Sequence, residues 1–178
     1  MIRIRTGEAK MKSLCRFALA VLLLARLVPL APAATIILVR HADRNAGMTP
    51  DVLLSPLGEE RARELARVLK DANIRAIFTT EVRRTQQTAE PTAKEFHLEP
   101  VIIAAADVDA LAARLKALPD DETVLVVGHS NTVPALVERL GGSVPAMADG
   151  EYDRLVAVTT SRNGKPAILT LRFGAVSH

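Results

Sequence analysis

Hydrophobic and polar positions along this chain follow two periods in turn. Ile36, Ile37, Leu38 and Val39 are apolar on both faces of a strand and stop at Arg40, His41, Asp43 and Arg44, the pattern of a strand buried on both sides. Residues 123–127 repeat it and end in Gly128, His129, Ser130 and Asn131, while residues 76–78 lead into Thr79, Thr80, Glu81, Val82, Arg83 and Arg84. Residues 100–105 are a further strand candidate ending near Asp107. Between these runs the period becomes helical. Ala62, Leu65, Ala66 and Leu69 recur at i, i+3, i+4, i+7 behind Ser55 as N-cap, Pro56 in the first turn and Glu59 as an early acid. Asn73 is expected to close that helix. Residues 82–89 predict a second helix disturbed by Pro91. Val108, Leu111, Ala112 and Leu115 predict a third that stops at Pro119. Val133, Leu136, Val137 and Leu140 predict a fourth, closed by Gly141 and Gly142. Residues 155–160 and 167–173 flank Asn163-Gly164, a hairpin turn signal.

Strands alternating with helices imply βαβ units, and so an α/β fold. The expected architecture is three layers, α/β/α, around a mostly parallel sheet with an antiparallel C-terminal hairpin at its edge. Loops of a parallel sheet converge at the C-terminal ends of its strands, so the polar groups discharged there are expected to share one crevice.

Composition changes this picture only at the N-terminus. Arg3, Arg5, Lys10, Lys12 and Arg16 precede the apolar residues 17–25, and Ala31-Pro32-Ala33 offers small residues at a cleavable spacing. That is the layout of a secretory signal peptide over residues 1–33, with Met1 or Met11 as the start. An uncleaved anchor fits less well, because the run is short and Arg26 interrupts it. The expectation is a periplasmic or secreted domain spanning 34–178, with no stable membrane anchor after cleavage.

Six of the 23 Lys and Arg, and one of the 20 Asp and Glu, lie in residues 1–33; the remaining 145 residues therefore carry 17 basic against 19 acidic side chains, a net of −2. The basic balance belongs to the leader, and nothing argues for a nucleic-acid partner. Cys15 is the single cysteine and lies in the leader, so the body has no disulfide, thiolate metal site or cysteine nucleophile.

The candidate chemistry gathers at the strand ends. Taken alone, His41 reads as a structural histidine. Arg40 and Arg44 beside it would hold the imidazole neutral by repulsion, and a neutral imidazole is a nucleophile. With phosphate present, the same guanidiniums can chelate its oxygens and spread the charge of a metaphosphate-like transition state. The second ring nitrogen would need a backbone carbonyl to fix the tautomer. Arg84 is preferred over Arg83 as a third cation because it follows a buried strand at a helix start. Gly128 leaves room for a ligand against the backbone before His129, and Ser130 or Asn131 is expected to cap the next helix, aiming its positive end into the crevice. Asp107 is the candidate acid for a leaving alkoxide, ahead of Asp109 and Glu138, although it could equally cap its own helix.

Arg40-His41-Ala42, the segment from Thr79 to Glu90, and Gly128-His129-Ser130, taken in that order, resemble the histidine phosphatase (phosphoglycerate mutase-like) superfamily. Its pattern is Arg-His-Gly, then Ser-Ser-x-x-x-Arg-Ala-x-Gln-Thr-Ala, then Gly-His. The resemblance spans nearly all of residues 34–178. It implies that His41 carries the phosphoryl group and that Arg40, Arg84 and His129 line a phosphate pocket, without metal or cofactor. Ala42 departs from the usual glycine, and Arg44 has the spacing of the extra arginine in the acid phosphatase branch. The chain is too short between the second and third motifs for the glutamate-bearing insertion of the mutases. Small exported members with Arg-His-Ala-Glu-Arg resemble phosphatases of lipopolysaccharide core heptose phosphate.

The function implied is a phosphomonoester hydrolase acting on a sugar phosphate or cell-envelope phosphoester. Two other classes stay open: a phospho-ligand binding protein that lost turnover, favoured by Ala42 and the uncertain acid, and a metal-dependent hydrolase using His41, Asp43 and His129.

Overall fold

The computed structural model describes residues 33–47, 51–160 and 165–177. Six strands form one sheet in the order β3-β2-β4-β1-β5-β6. They are β1 (Thr35–Arg40), β2 (Ile74–Thr79), β3 (Val101–Ile102), β4 (Thr123–Gly128), β5 (Arg154–Thr159) and β6 (Ala167–Arg172). β1 pairs in parallel with β4, β4 with β2, and β2 with β3, whereas β5 runs antiparallel to β1 and β6 to β5. The expected mixed sheet with an antiparallel C-terminal edge is therefore present. Its turn at Asn163-Gly164 and residues 1–32 of the expected leader lie outside the described residues.

Alternation along the central strands divides the core in two. Ile36, Leu38, Phe78, Val124 and Val126 face α3 (Val108–Lys116) and α4 (Thr132–Arg139) through Leu111, Leu115, Val133 and Leu136. Ile37, Val39, Ile77, Leu125 and Val127 face α1 (Pro56–Leu69) and α2 (Arg83–Phe96) through Leu65, Leu69, Ala89 and Ala93. Both faces are covered, which is why the central strands read as unbroken apolar runs.

Two expectations about element extent need correction. α2 does not end near Pro91 but continues to Phe96 with the proline inside it. Pro91 removes one ladder donor, yet Ala89, Thr92 and Ala93 on either side are buried, and that packing holds the helix through the defect. The strand candidate at 100–105 contracts to two paired residues, Val101 and Ile102.

Ser55 caps α1 as expected, its hydroxyl accepting from Gly58 N at 3.2 Å. That first turn packs against the loop after β1 at very close range. A Cβ on Gly58 would lie 2.0 Å from the Asp43 carbonyl oxygen, and Ser55 N donates to the same oxygen at 2.9 Å. Arg61, one turn on, donates from Nε to Asp43 Oδ2 at 2.6 Å and from Nη1 to the carbonyls of Phe173 and Ala175. The loop bearing Arg44 is thus fixed between α1 and the C-terminal segment.

Gly58→Ala must push the Asp43 backbone away. We expect about 3 kcal/mol or more of destabilisation, measured as a lowered urea midpoint with an unchanged slope.

Candidate active site

Strand register brings the two sequence-distant histidines together. Arg40 lies opposite Gly128 in the β1–β4 pair, and one residue beyond it His41 N donates to Gly128 O at 2.9 Å. The His41 and His129 rings follow as neighbours, with centroids 5.5 Å apart and planes inclined at 65°. β2 lies on the other side of β4, so its end delivers Thr79 and Thr80 and starts α2 with Arg83 and Arg84. A cavity of about 650 Å³ opens there, lined by Arg40, His41, Arg44, Arg84 and His129 together with the start of α4. A larger groove of about 790 Å³ beside α2 carries Lys94, His97, Glu90 and Glu99 but neither of these two histidines.

His41 is buried, and its Nδ1 lies 2.8 Å from the carbonyl of Ala42. A carbonyl only accepts, so Nδ1 carries the proton and Nε2 keeps its lone pair. Burial pushes the His41 pKa down to about 3; the Ala42 carbonyl acts upward, and the charges of Arg84 and Arg40 add to the depression. Of the two arginines expected to keep this imidazole neutral, Arg40 contributes and Arg44 does not, its place being taken by Arg84, and desolvation is the larger cause. Burial, and next the charge of Arg84, likewise push His129 down to about 4.

Arg40 is anchored at one end of its guanidinium. Nη1 donates to the carbonyls of Ala148, Asp149 and Glu151 at 2.9, 2.7 and 3.1 Å, while buried Nε has no hydrogen-bond partner. The ring of Tyr152 lies under the guanidinium carbon at 4.2 Å and 5.8 Å from the His41 ring. Glu151 in turn receives bonds from Arg154 and Arg172, which secure the loop that carries these carbonyls. Burial, and then repulsion from Arg44, depress Arg84, the sign of guanidiniums crowded into one volume. Arg83, by contrast, receives its cap at the backbone: its N–H donates to Asp51 Oδ1 at 2.8 Å.

The other residues singled out from the sequence have different placements. Asp107 stands at the N-cap position of α3 without a side-chain capping bond and lines a small apolar crevice with Phe78, Leu111 and Val126, not the cavity of the histidines. Asp109 pairs with Arg139 on the exposed surface. Asp43, offered as a metal ligand, is engaged by Arg61. Among the described residues no three His, Cys, Asp or Glu side chains converge as a metal set.

Gly128 has a different reason from ligand approach, since a Cβ there would sit 2.6 Å from Thr132 Oγ1, the group that accepts from His129 N at 2.8 Å. Asn131 occupies the N-cap of α4 without a side-chain bond. Ala42 turns its methyl into a small cluster with Leu54 and Ala62, and its N–H donates to Thr88 Oγ1 at 2.9 Å.

Sequence reasoning assigned no role to Tyr152, Thr80, Thr85 or Thr88. Tyr152 is the only tyrosine in the chain, and the three threonines lie in or beside the quoted α2 motif, so a signal was present. Their partners come from other elements, which periodicity cannot reveal.

Comparison with known proteins bears on the fold that carries this site. A family model described as the histidine phosphatase superfamily (branch 1) matches residues 36–106. No curated protein is a significant match in sequence. Among solved structures, the protein histidine phosphatase SixA complexed with tungstate superposes with a TM-score of 0.67 at 24% identity, over 78% of this chain and 96% of that one. A putative α-ribazole-5′-phosphate phosphatase from Escherichia coli gives 0.63 at 18% identity, over 79% and 96%. A putative SixA from Nakamurella gives 0.59 at 21%, over 82% and 99%. The family model covers the first part of the described chain, with His41 and the start of α2, and the solved structures show that the whole domain shares their fold.

Both imidazoles stay neutral in acid while an unfolded histidine protonates near 6.5. Their folded pKa values are lowered, so the stabilisation is complete above pH 6.5 and is lost as pH falls through about 4 and 3. An NMR titration of the ring protons should place both midpoints below pH 5, and inorganic phosphate should raise them. A midpoint near 6.5 for His41 would contradict the desolvation described here.

Proposed function

We propose that this protein is an exported phosphomonoester hydrolase that works through a phosphohistidine on His41. The observation that carries the reading is the neutral His41 imidazole, its Nδ1 proton tied to the Ala42 carbonyl, beside Arg40, Arg84 and His129. Nε2 attacks phosphorus in line with the departing alcohol, and Arg40, Arg44 and Arg84 bind the phosphoryl oxygens. Water then attacks the phosphohistidine, releasing phosphate and returning the electron pair to Nε2. No metal takes part. His129 is the proton carrier in preference to Asp107, which lies outside the cavity.

For the substrate we propose a sugar phosphate or other cell-envelope phosphoester, in keeping with the leader. Two of the superposable proteins carry phosphohistidine phosphatase names, which makes a phosphorylated histidine the second substrate to assay. The binding-protein alternative loses one of its supports. Ala42, which suggested it, has its methyl packed against Leu54 and Ala62.

Rapid acid quench with a radiolabelled phosphoester is expected to trap label on the wild type and none on His41→Ala; label surviving on that variant refutes the mechanism. Arg84→Ala should lower kcat/KM about 10²–10³-fold, the usual cost of one oxyanion donor. Turnover of an aryl phosphate should persist undiminished in chelator, and its loss would return the metal-dependent class to consideration.

A further inference from the structure

We infer that Thr80 and Thr85 are positioning residues that decide which nitrogen of His129 carries the ring proton, holding the imidazole as the Nε2–H tautomer so that Nδ1 meets the cations as a proton acceptor. The inference rests on the phosphoryl-transfer reading above and adds to it the proton state of the second histidine.

The direction follows from groups whose hydrogen-bonding sense is fixed. Arg84 Nη2 lies 3.4 Å from His129 Nδ1, and a guanidinium can only donate, so Nδ1 presents its lone pair. A neutral imidazole has one N–H, which must then be on Nε2, 3.1 Å from Thr80 Oγ1. That hydroxyl oxygen also accepts from Val82 N at 3.3 Å, which fills both lone pairs and sends its own proton to Thr85 Oγ1 at 3.0 Å. Thr85 Oγ1 accepts a second bond from Thr80 N at 3.1 Å and donates its proton to Val82 O at 2.7 Å. One end of the relay can only donate and the other can only accept, so a single sense satisfies every member. Reversing it would turn Nδ1–H toward a guanidinium and leave two donors facing each other.

Burial makes that sense costly to violate. Thr80 is 7%, Thr85 0% and His129 8% exposed, and an unsatisfied group at such depth carries its full desolvation penalty. Thr80 and Thr85 are not in the wall of the cavity, whereas His129 and Arg84 are, so the relay approaches the ring from behind. The charged and titratable groups facing His129 are Arg84 on α2, Glu81 just before it, and Arg40 and His41 at the end of β1.

A histidine held this way offers no proton at rest and must receive one. A phosphomonoester monoanion supplies it. Its phosphate proton moves to Nδ1, His41 Nε2 forms the bond to phosphorus as the ester P–O bond breaks, and the Nδ1 proton passes to the departing oxygen to give the alcohol. In the second half, water forms the new P–O bond, the P–Nε2 pair returns to His41, and one water proton goes to Nδ1, from which it passes to an oxygen of the departing phosphate, leaving His129 neutral again. The acid that no carboxylate in the cavity wall supplies is thus the substrate's own proton, relayed through His129.

The test is a ¹⁵N-detected NMR experiment on the histidine rings of the whole chain, above pH 6.5 and without phosphate. Wild type and Thr85→Ser should show His129 protonated at Nε2. Thr85→Ala removes the acceptor for the Thr80 hydroxyl, which then turns to donate to Nε2 in competition with the 3.4 Å Arg84 contact at Nδ1, and a measurable fraction of the ring proton moves to Nδ1. The alkaline limb of the kcat/KM profile for an alkyl phosphate should move to higher pH in Thr85→Ala, because a preformed Nδ1–H suits the dianion, and should be restored in Thr85→Ser. An Nδ1–H signature in the wild type overturns the inference. So does a Thr85→Ala spectrum identical to wild type, with an amide spectrum confirming that both are folded. A wild type with the expected tautomer but no hydrolysis refutes the phosphatase reading and leaves the relay standing.

Discussion

The parallel pairing of β1 with β4, in the one register that sets Arg40 against Gly128, is the constraint on which the site depends. A two-residue period means that a slip by one would send Ile36 and Leu38 to the opposite face and pull the two histidines apart. Burial of both sheet faces by helices makes that slip prohibitively expensive, so the hydrophobic core fixes the chemistry as firmly as it fixes the fold.

What the register assembles is electrostatically uncomfortable. Several guanidiniums and two imidazoles share a partly buried volume, and burial together with mutual repulsion depresses the histidines. Such crowding persists because the cations are held elsewhere. Arg40 is tied by three carbonyls of the loop before β5, and that loop is secured by Glu151 with Arg154 and Arg172. The Arg44 loop is held by Asp43 through Arg61, a guanidinium only 2% exposed, and breaking a pair of that kind typically costs 3–5 kcal/mol. The acids near the site therefore serve as scaffold for the bases.

The hydroxyls form a second scaffold. Thr88 joins the backbone after His41 to α2, accepting from Ala42 N and donating to Arg84 O at 2.7 Å, so the segments bearing His41 and Arg84 move as one piece. Thr80 and Thr85 do the same for His129. Threonine suits this work because its methyl packs in the core while its oxygen both accepts and donates.

The sequence by itself determined the sheet, the helix starts and the convergence of charged strand ends, because apolar periodicity, Ser55-Pro56 and the Arg40-His41 boundary are local signals that burial and capping enforce. It misjudged Pro91, where packing of Ala89 and Ala93 outweighs a local rule, and it tied Gly128 to ligand approach where the crowding is with its neighbour Thr132. Only the tertiary structure decided which groups meet. It separated Asp107 from the cavity, brought the lone Tyr152 under Arg40, and closed the hydroxyl relay behind His129. Each of these is a contact between segments far apart or facing inward, and a hydrogen bond's partner and direction are set by three-dimensional neighbours that no linear pattern encodes.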